Sequence, residues 1–267
     1  VEWVKVRRWS RVVLCGSLGL LLVHAAAAAE LLVFAGAGLR SPVQQLAERF
    51  QQREHVAVQI EYGGSGALLN RIRESGRGDV FVPGSLRYAE PLQAGNEVLA
   101  VLPLVQHAPV IAVNRAAAQR IETFADLAKP GVKIGLGDPQ AMALGRTAAE
   151  ILDHSGLRSE IEANVVVRAA TVKQLALYVA DGDVDAAIIG ATDYAEHADK
   201  LVLRPIPAGW FKPEIAGAVV LRSSADPALA KRFAEFMASE EGLTTFEHFG
   251  FPRATAADMA MPAPAAH

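Results

Sequence analysis

The chain has 267 residues, 51% of them apolar and 21% charged, and a formal charge of −3. This length and composition fit one large or two modest domains with a proper core and argue against disorder. The small negative charge leaves no electrostatic footprint for nucleic acid, so no nucleic-acid partner is expected.

Residues 1–29 read as a secretory signal peptide. Lys5, Arg7, Arg8 and Arg11 form a basic start, and Val12 to His24 is an apolar stretch too short to span a bilayer comfortably. Ala25 to Ala29 then offer an A-x-A cleavage site before Glu30. A membrane anchor is the alternative, but no basic stop-transfer flank follows to favour it. Arg7-Arg8 is a weak twin-arginine signal, since Ser10 stands where a large apolar residue is usual. Cleavage would remove four basic residues and one acidic one, taking the charge from −3 to near −6. It would also remove Cys15, the only cysteine, which lacks the small preceding residue that lipid attachment needs. A periplasmic chain without thiols has no disulfide and no cysteine nucleophile, so its stability must come from its core.

From Glu30 onward, short apolar runs alternate with amphipathic helices. LLVFA (31–35) reads as a buried strand, and Val43, Leu46, Ala47 and Phe50 form a helical stripe behind Ser41 as N-cap and Pro42 as first residue. Val56, Val58, Ile60 and Tyr62 alternate as a strand, a helix follows from about Ala67 through Leu68, Leu69 and Ile72, and DVFVPG (79–84) is a third strand. The pattern resumes with strands at 110–113, 132–137, 165–167 and 186–189, and with helices at 147–154 and from Val172 through Val179. A Pro-rich stretch (205–214) precedes a strand at 216–221 and a helix over 228–239. This is the grammar of α/β folding on parallel sheets, and two such sets suggest two lobes. Residues 254–267 show no periodicity and read as a mobile tail.

Four strand-to-helix turns could hold an anion. Gly36-Ala37-Gly38 approaches a dinucleotide fingerprint, with Glu61 where an acidic ribose partner would stand, but Ser41 replaces the third glycine. Export also disfavours a nicotinamide cofactor, and a plain glycine turn for helix–strand packing remains open. Gly63-Gly64-Ser65-Gly66 repeats the arrangement one unit later. Glycines there let backbone N–H groups converge on one oxyanion, with the Ser65 hydroxyl and a helix dipole in support. Ala67 rules out a G-x-S-x-G nucleophile elbow. Ala143 to Arg146 and Ala170 to Val172 are the other two helix starts, so a two-sided clamp is expected. The seven histidines lack metal-ligand spacing and read as surface or helix-capping residues, His107 among them. Asp138 and Asp193 read as turn formers. Arg40 and Arg146 lie beside the anion turns, where they either supply countercharge or face solvent.

Over roughly residues 30–253 the chain resembles the periplasmic molybdate-binding proteins, the solute receptors of molybdate ABC importers. The matching stretches are LLVFAGAGLRSPVQQLAERF, EYGGSGALLNRIRESGRGDVFVPGS, VKIGLGDPQAMALGRTAAEIL and PEIAGAVVLRSSADPALAKRFAEFMASEEGLTTFEHFGF. The resemblance implies a type II periplasmic-binding fold, α/β, with two parallel-sheet-based lobes and a ligand cleft between them. Lobe I would comprise 30–109 and 216–253, lobe II 110–215, with crossovers near Ala108–Val113 and Glu214–Val219. It further implies that Gly38, Leu39, Ser65, Gly66, Leu144, Val172 and Gly190 bind a tetrahedral oxyanion. The family's first-turn serine falls on Gly38, its second on Ser65, and its tyrosine on Gly190 unless nearby Tyr194 supplies the phenol. Two of three side-chain donors are thus absent, and Arg40, Arg146 or Tyr194 could compensate.

The implied function is binding of molybdate or tungstate without chemistry, and delivery to an ABC-transporter permease in the inner membrane. No cofactor is expected, molybdenum enters only as the oxyanion, and the protein is expected to be a monomer. Sulfate, phosphate or a phosphorylated organic anion remain alternative ligands. An exported serine hydrolase using Ser65 is the other class, though no His–Asp pair or metal cluster accompanies that serine.

Overall fold

A computed structural model describes residues 30–207, 209–255 and 258, so the leader reading of residues 1–29 lies outside it. Strand β1 (Glu30–Gly36) runs through a short 3-10 turn into helix α1 (Arg40–Glu54), β2 (Ala57–Gly63) into α2 (Ser65–Ser75), and β3 (Val80–Val82) into a loop and α3 (Glu90–Ala94). The ten-residue β4 (Val98–His107) then meets β5 (Pro109–Asn114). Next come β6 (Ile134–Gly137), α4 (Ala143–Ser155), α5 (Arg158–Ala163), β7 (Val165–Ala169), α6 (Val172–Asp181), β8 (Ala186–Gly190), α7 (Ala191–Glu196) and β9 (Leu201–Arg204). The chain finishes with β10 (Glu214–Leu221), α8 (Pro227–Ala238) and α9 (Glu240–His248).

The described strands form two five-stranded sheets, ordered β2-β1-β3-β10-β4 and β7-β6-β8-β5-β9. Each is mixed rather than purely parallel. In the first, β10 runs antiparallel to β3 and β4; in the second, β5 runs antiparallel to β8 and β9. The chain passes between them at Ala108 and again through residues 205–213. Pro109 therefore belongs to the second sheet, and Glu214 and Ile215 to the first. Of the stretches read as crossovers, Ala108–Val113 and Glu214–Val219, all but Ala108 lie within strands.

Helices cover both faces of each sheet, which is why its strands are apolar on both sides. Successive residues point to opposite layers: Val33, Ala35, Val80 and Val82 join α1, α8 and α9 in one core, while Phe34 and Phe81 join α2 and α3 in the other. The predicted stripe of α1 is buried, and Phe50 packs on Phe233 with ring centroids 5.0 Å apart. In the second sheet Ile111 and Val113 face α4 and α5, while Ala112 faces α6.

Several local expectations are corrected. Ser41 is not an N-cap: the 3-10 turn at Ala37–Leu39 runs straight into α1, so Ser41 sits inside its first turn. Pro42 is still tolerated there, because first-turn N–H groups have no intrahelical acceptor. Strand β4 has no counterpart in the sequence reading. It is an edge strand containing Pro103, placed where a register shift opposite Ala216 and Gly217 absorbs the missing donor. The start of the presumed tail is bound to that edge, with Ala254 N–H donating to Leu104 O and Gln106 Nε2 donating to Asp258 Oδ2 at 2.8 Å. Among the described residues no helix is long and apolar enough to cross a membrane.

Candidate functional site

Parallel strands place their carboxyl ends at one edge, and loops leaving that edge carry the binding groups. Gly36 and Gly63, the last residues of β1 and β2, are register partners, so the two glycine turns start side by side. Facing them across the cleft are the starts of α4 and α6. Together they enclose a cavity of ≈ 20 Å³, on a measure where one water needs about 10–15 Å³. From the first sheet come Gly36 to Leu39, Gly63 to Ser65, Gly84 and His107; from the second, Met142, Ala143, Leu144, Thr171 and Val172. A space of that size suits one compact group.

The lining is built from amides rather than charges. Helices α1, α2 and α4 start on Leu39, Gly64 and Met142 without a side-chain cap, and none of α1, α2, α4 and α6 carries an acid in its first turn. Uncapped first turns leave N–H groups free and add the positive end of the helix dipole. Ser65 is buried at the first position of α2, where its Oγ accepts from Gly84 N–H at 3.1 Å, which leaves its own proton to donate. Thr171 caps α6 by accepting from Gln174 N–H.

Of the expected oxyanion contacts, Gly38, Leu39, Ser65, Leu144 and Val172 line the cavity. Gly66 does not: its N–H donates to Ala141 O at 2.9 Å across the cleft. A Cβ on Gly66 would lie 2.0 Å from Gln140 O, and one on Gly64 would lie 2.4 Å from Ala170 O. These two glycines let the lobes meet. Gly190 also lies outside the lining, behind His107: a Cβ there would be 2.9 Å from His107 Nε2. A side chain on Gly38 would fall 2.8 Å from Val172 Cγ1 and 3.4 Å from His107 Cε1. Val172 thus takes the room a side chain at Gly38 would need, and Asp193 with the imidazole takes that at Gly190.

None of the three candidate compensating side chains reaches the cavity. Arg40 stacks on the Tyr62 ring at 3.9 Å, Arg146 stacks on Tyr88 at 4.6 Å, and Tyr194 packs against the core around α6. Asp138 is a turn former, accepting from Gln140 N–H at 2.8 Å. Asp193 is not, because it is fully buried inside α7 with Lys173 Nζ 3.1 Å away and no hydrogen bond to either oxygen. Burial pushes its carboxyl up to about 6, against the opposing pull of Lys173.

Sequence reasoning missed two groups. His107, at the end of β4, is buried with neither ring nitrogen hydrogen-bonded, and desolvation pushes it down to about 4, partly offset by Glu214. The available signal was a polar residue closing the apolar run VLAVLPLVQH, which becomes legible once that run is seen as a strand. Glu214, at the start of β10, is buried between the lobes; Thr147 on α4 donates to it at 2.9 Å, and Ser85 also donates to it. Arg87 pairs with Glu150 of α4 at 2.8 Å, a further bridge across the cleft. No group of three or more His, Cys, Asp or Glu able to hold a metal ion occurs among the described residues.

Two lobes joined by two chain crossings, with a small cavity of helix amides between them, are the arrangement of a solute-binding protein. The chain belongs to the bacterial extracellular solute-binding proteins, whose family pattern matches residues 31–252. It is 38% identical over 224 residues, 84% of this chain and 91% of the relative, to a Haemophilus influenzae protein named as a binding protein. It is 25% identical over 229 residues, 85% of each chain, to the molybdate-binding protein ModA of Mycobacterium tuberculosis. The fold matches the periplasmic molybdate-binding protein of Azotobacter vinelandii with a TM-score of 0.72 at 23% identity, covering 84% of this chain and all of the other. This is an ABC-type solute-binding protein, not an enzyme.

Proposed function

We propose that this protein binds molybdate or tungstate in the periplasm and hands it to an inner-membrane ABC permease. The observation that carries the reading is the convergence of four helix starts, three of them uncapped, on one small closed cavity. A buried dianion must recover its lost hydration through hydrogen bonds. Amides of Gly38, Leu39, Leu144 and Val172 with the Ser65 hydroxyl can supply them, and they do so without a fixed formal charge that would oppose release. Similarity to ModA supports molybdate. Selection against the smaller sulfate would rest on cavity size.

A second reading, sulfate or phosphate, is favoured by one observation: Gly38 and Gly190 offer no side-chain donor, and Val172, Asp193 and His107 leave no room for one. Thermal unfolding with molybdate, tungstate, sulfate and phosphate in turn separates the two. A ligand at 100 times its Kd adds about 2.7 kcal/mol, an upward Tm shift of about 5–10 °C for a domain of this size. The largest shift is expected with molybdate or tungstate; a shift with none of the four would sink the oxyanion reading.

A further inference from the structure

His107 is the one titratable side chain in the cavity lining; no side chain hydrogen-bonds its ring, and the Gly84 backbone lies against Nδ1. It is only 4% exposed, yet both ring nitrogens lack a hydrogen-bond partner. Buried polar atoms are normally paired, so an unpaired ring in a ligand cavity points to the ligand as its partner.

Charged groups face the ring from three elements. Glu214 on β10 lies opposite His107 in the strand register, its oxygens accepting from Ser85 and Thr147. Asp193 on α7 is wholly buried without a hydrogen bond, and Lys173 on α6 stands 3.1 Å from it. Bare Gly190 separates ring and carboxylate: a Cβ there would lie 2.9 Å from His107 Nε2 and 2.5 Å from Asp193 Oδ2. Gly84 also lies against the ring, where a Cβ would be 3.2 Å from His107 Nδ1, and apolar Phe251 packs with its ring centroid 5.9 Å away.

Building on the oxyanion reading, we propose that His107 contacts the bound anion as an imidazolium. The cleft then takes up one proton with each dianion and selects divalent tetrahedral oxyanions over monovalent ones of the same shape. The proton comes from solvent and forms an N–H bond on the previously unprotonated ring nitrogen; no other bond is made or broken. One N–H then serves a ligand oxygen, while the other nitrogen, Nδ1, lies against the Gly84 backbone. Glu214 and the Gly84 backbone favour the charged ring, while Lys173 and burial oppose it. Burial wins in the empty cavity, which leaves the ring neutral at pH 7. A dianion beside it reverses that balance, because an opposite charge within a few ångströms favours the charged form. A monoanion gives half the attraction and leaves the ring neutral.

The test is titration calorimetry of the whole exported chain with tungstate and with perrhenate, which has the same shape and one charge fewer. Heats are measured at pH 7 in buffers of different ionisation enthalpy. Tungstate is expected to bind with uptake of about one proton and with affinity falling about tenfold per pH unit between pH 6 and 8. Perrhenate should bind more weakly with no uptake. His107→Asn should abolish the uptake and flatten the pH profile. If that variant does not fold, ring nitrogen shifts of His107 in the tungstate-bound protein should report an imidazolium. Tungstate binding without proton uptake, or uptake that persists in His107→Asn, would overturn the proposal. No binding of tungstate, molybdate, sulfate or phosphate would instead remove the oxyanion reading, and this proposal with it.

Discussion

Three of the four helices that open onto the cleft begin differently from α8 and α9, which back the first sheet. Helices α8 and α9 are capped: Asp226 accepts from Leu229 N–H at 3.0 Å, and Ser239 accepts from Gly242 N–H at 3.2 Å. Helix α9 adds Glu240 and Glu241 in its first turn, where the helix dipole favours them. Helices α1, α2 and α4 have no side-chain cap, and no cleft-facing helix has a first-turn acid. A cap is worth about 0.5–2 kcal/mol, so local stability is forgone where the amides are wanted for a ligand. An absent cap is therefore as informative as a present one.

Three substitutions sharpen that contrast. The largest effect is expected from Gly66→Val, which puts carbon where Gln140 O now sits and so blocks closure. Overpacking of this kind costs about 1–3 kcal/mol or more. Calorimetry should show anion affinity reduced by tenfold to several hundredfold while each lobe stays folded; unchanged affinity would mean the lobes need not meet. Next, Ser65→Ala should weaken anion binding by about 1–3 kcal/mol, since it removes a hydroxyl donor to a charged ligand. It also leaves Gly84 N–H without its acceptor, so unfolding without ligand must be measured alongside. The smallest effect is expected on the far side: Asp226→Ala should lower stability by about 1 kcal/mol and leave anion affinity as it was. A drop in affinity there would blur the division between stabilising and binding helix starts.

Much of this was legible along the chain. Val43, Leu46, Ala47 and Phe50 marked a core-facing helix because burial on one side repeats every 3.6 residues. The Gly36 and Gly63 turns marked anion-competent strand ends. The β4 edge strand was not legible, since Pro103 interrupts its pattern and only the register shift against β10 accommodates it. Missing β4 meant missing His107 as a cleft residue.

The sequence by itself determined which helices would carry a core-facing stripe and which strands would be apolar on both faces, because those properties depend on neighbours a few residues apart. Only the tertiary structure decided which amides share a cavity, that Gly64 and Gly66 serve lobe contact, and that Val172, Asp193 and His107 fill the space beside Gly38 and Gly190. Those facts depend on groups from both lobes meeting across a cleft, and no spacing along the chain encodes that distance.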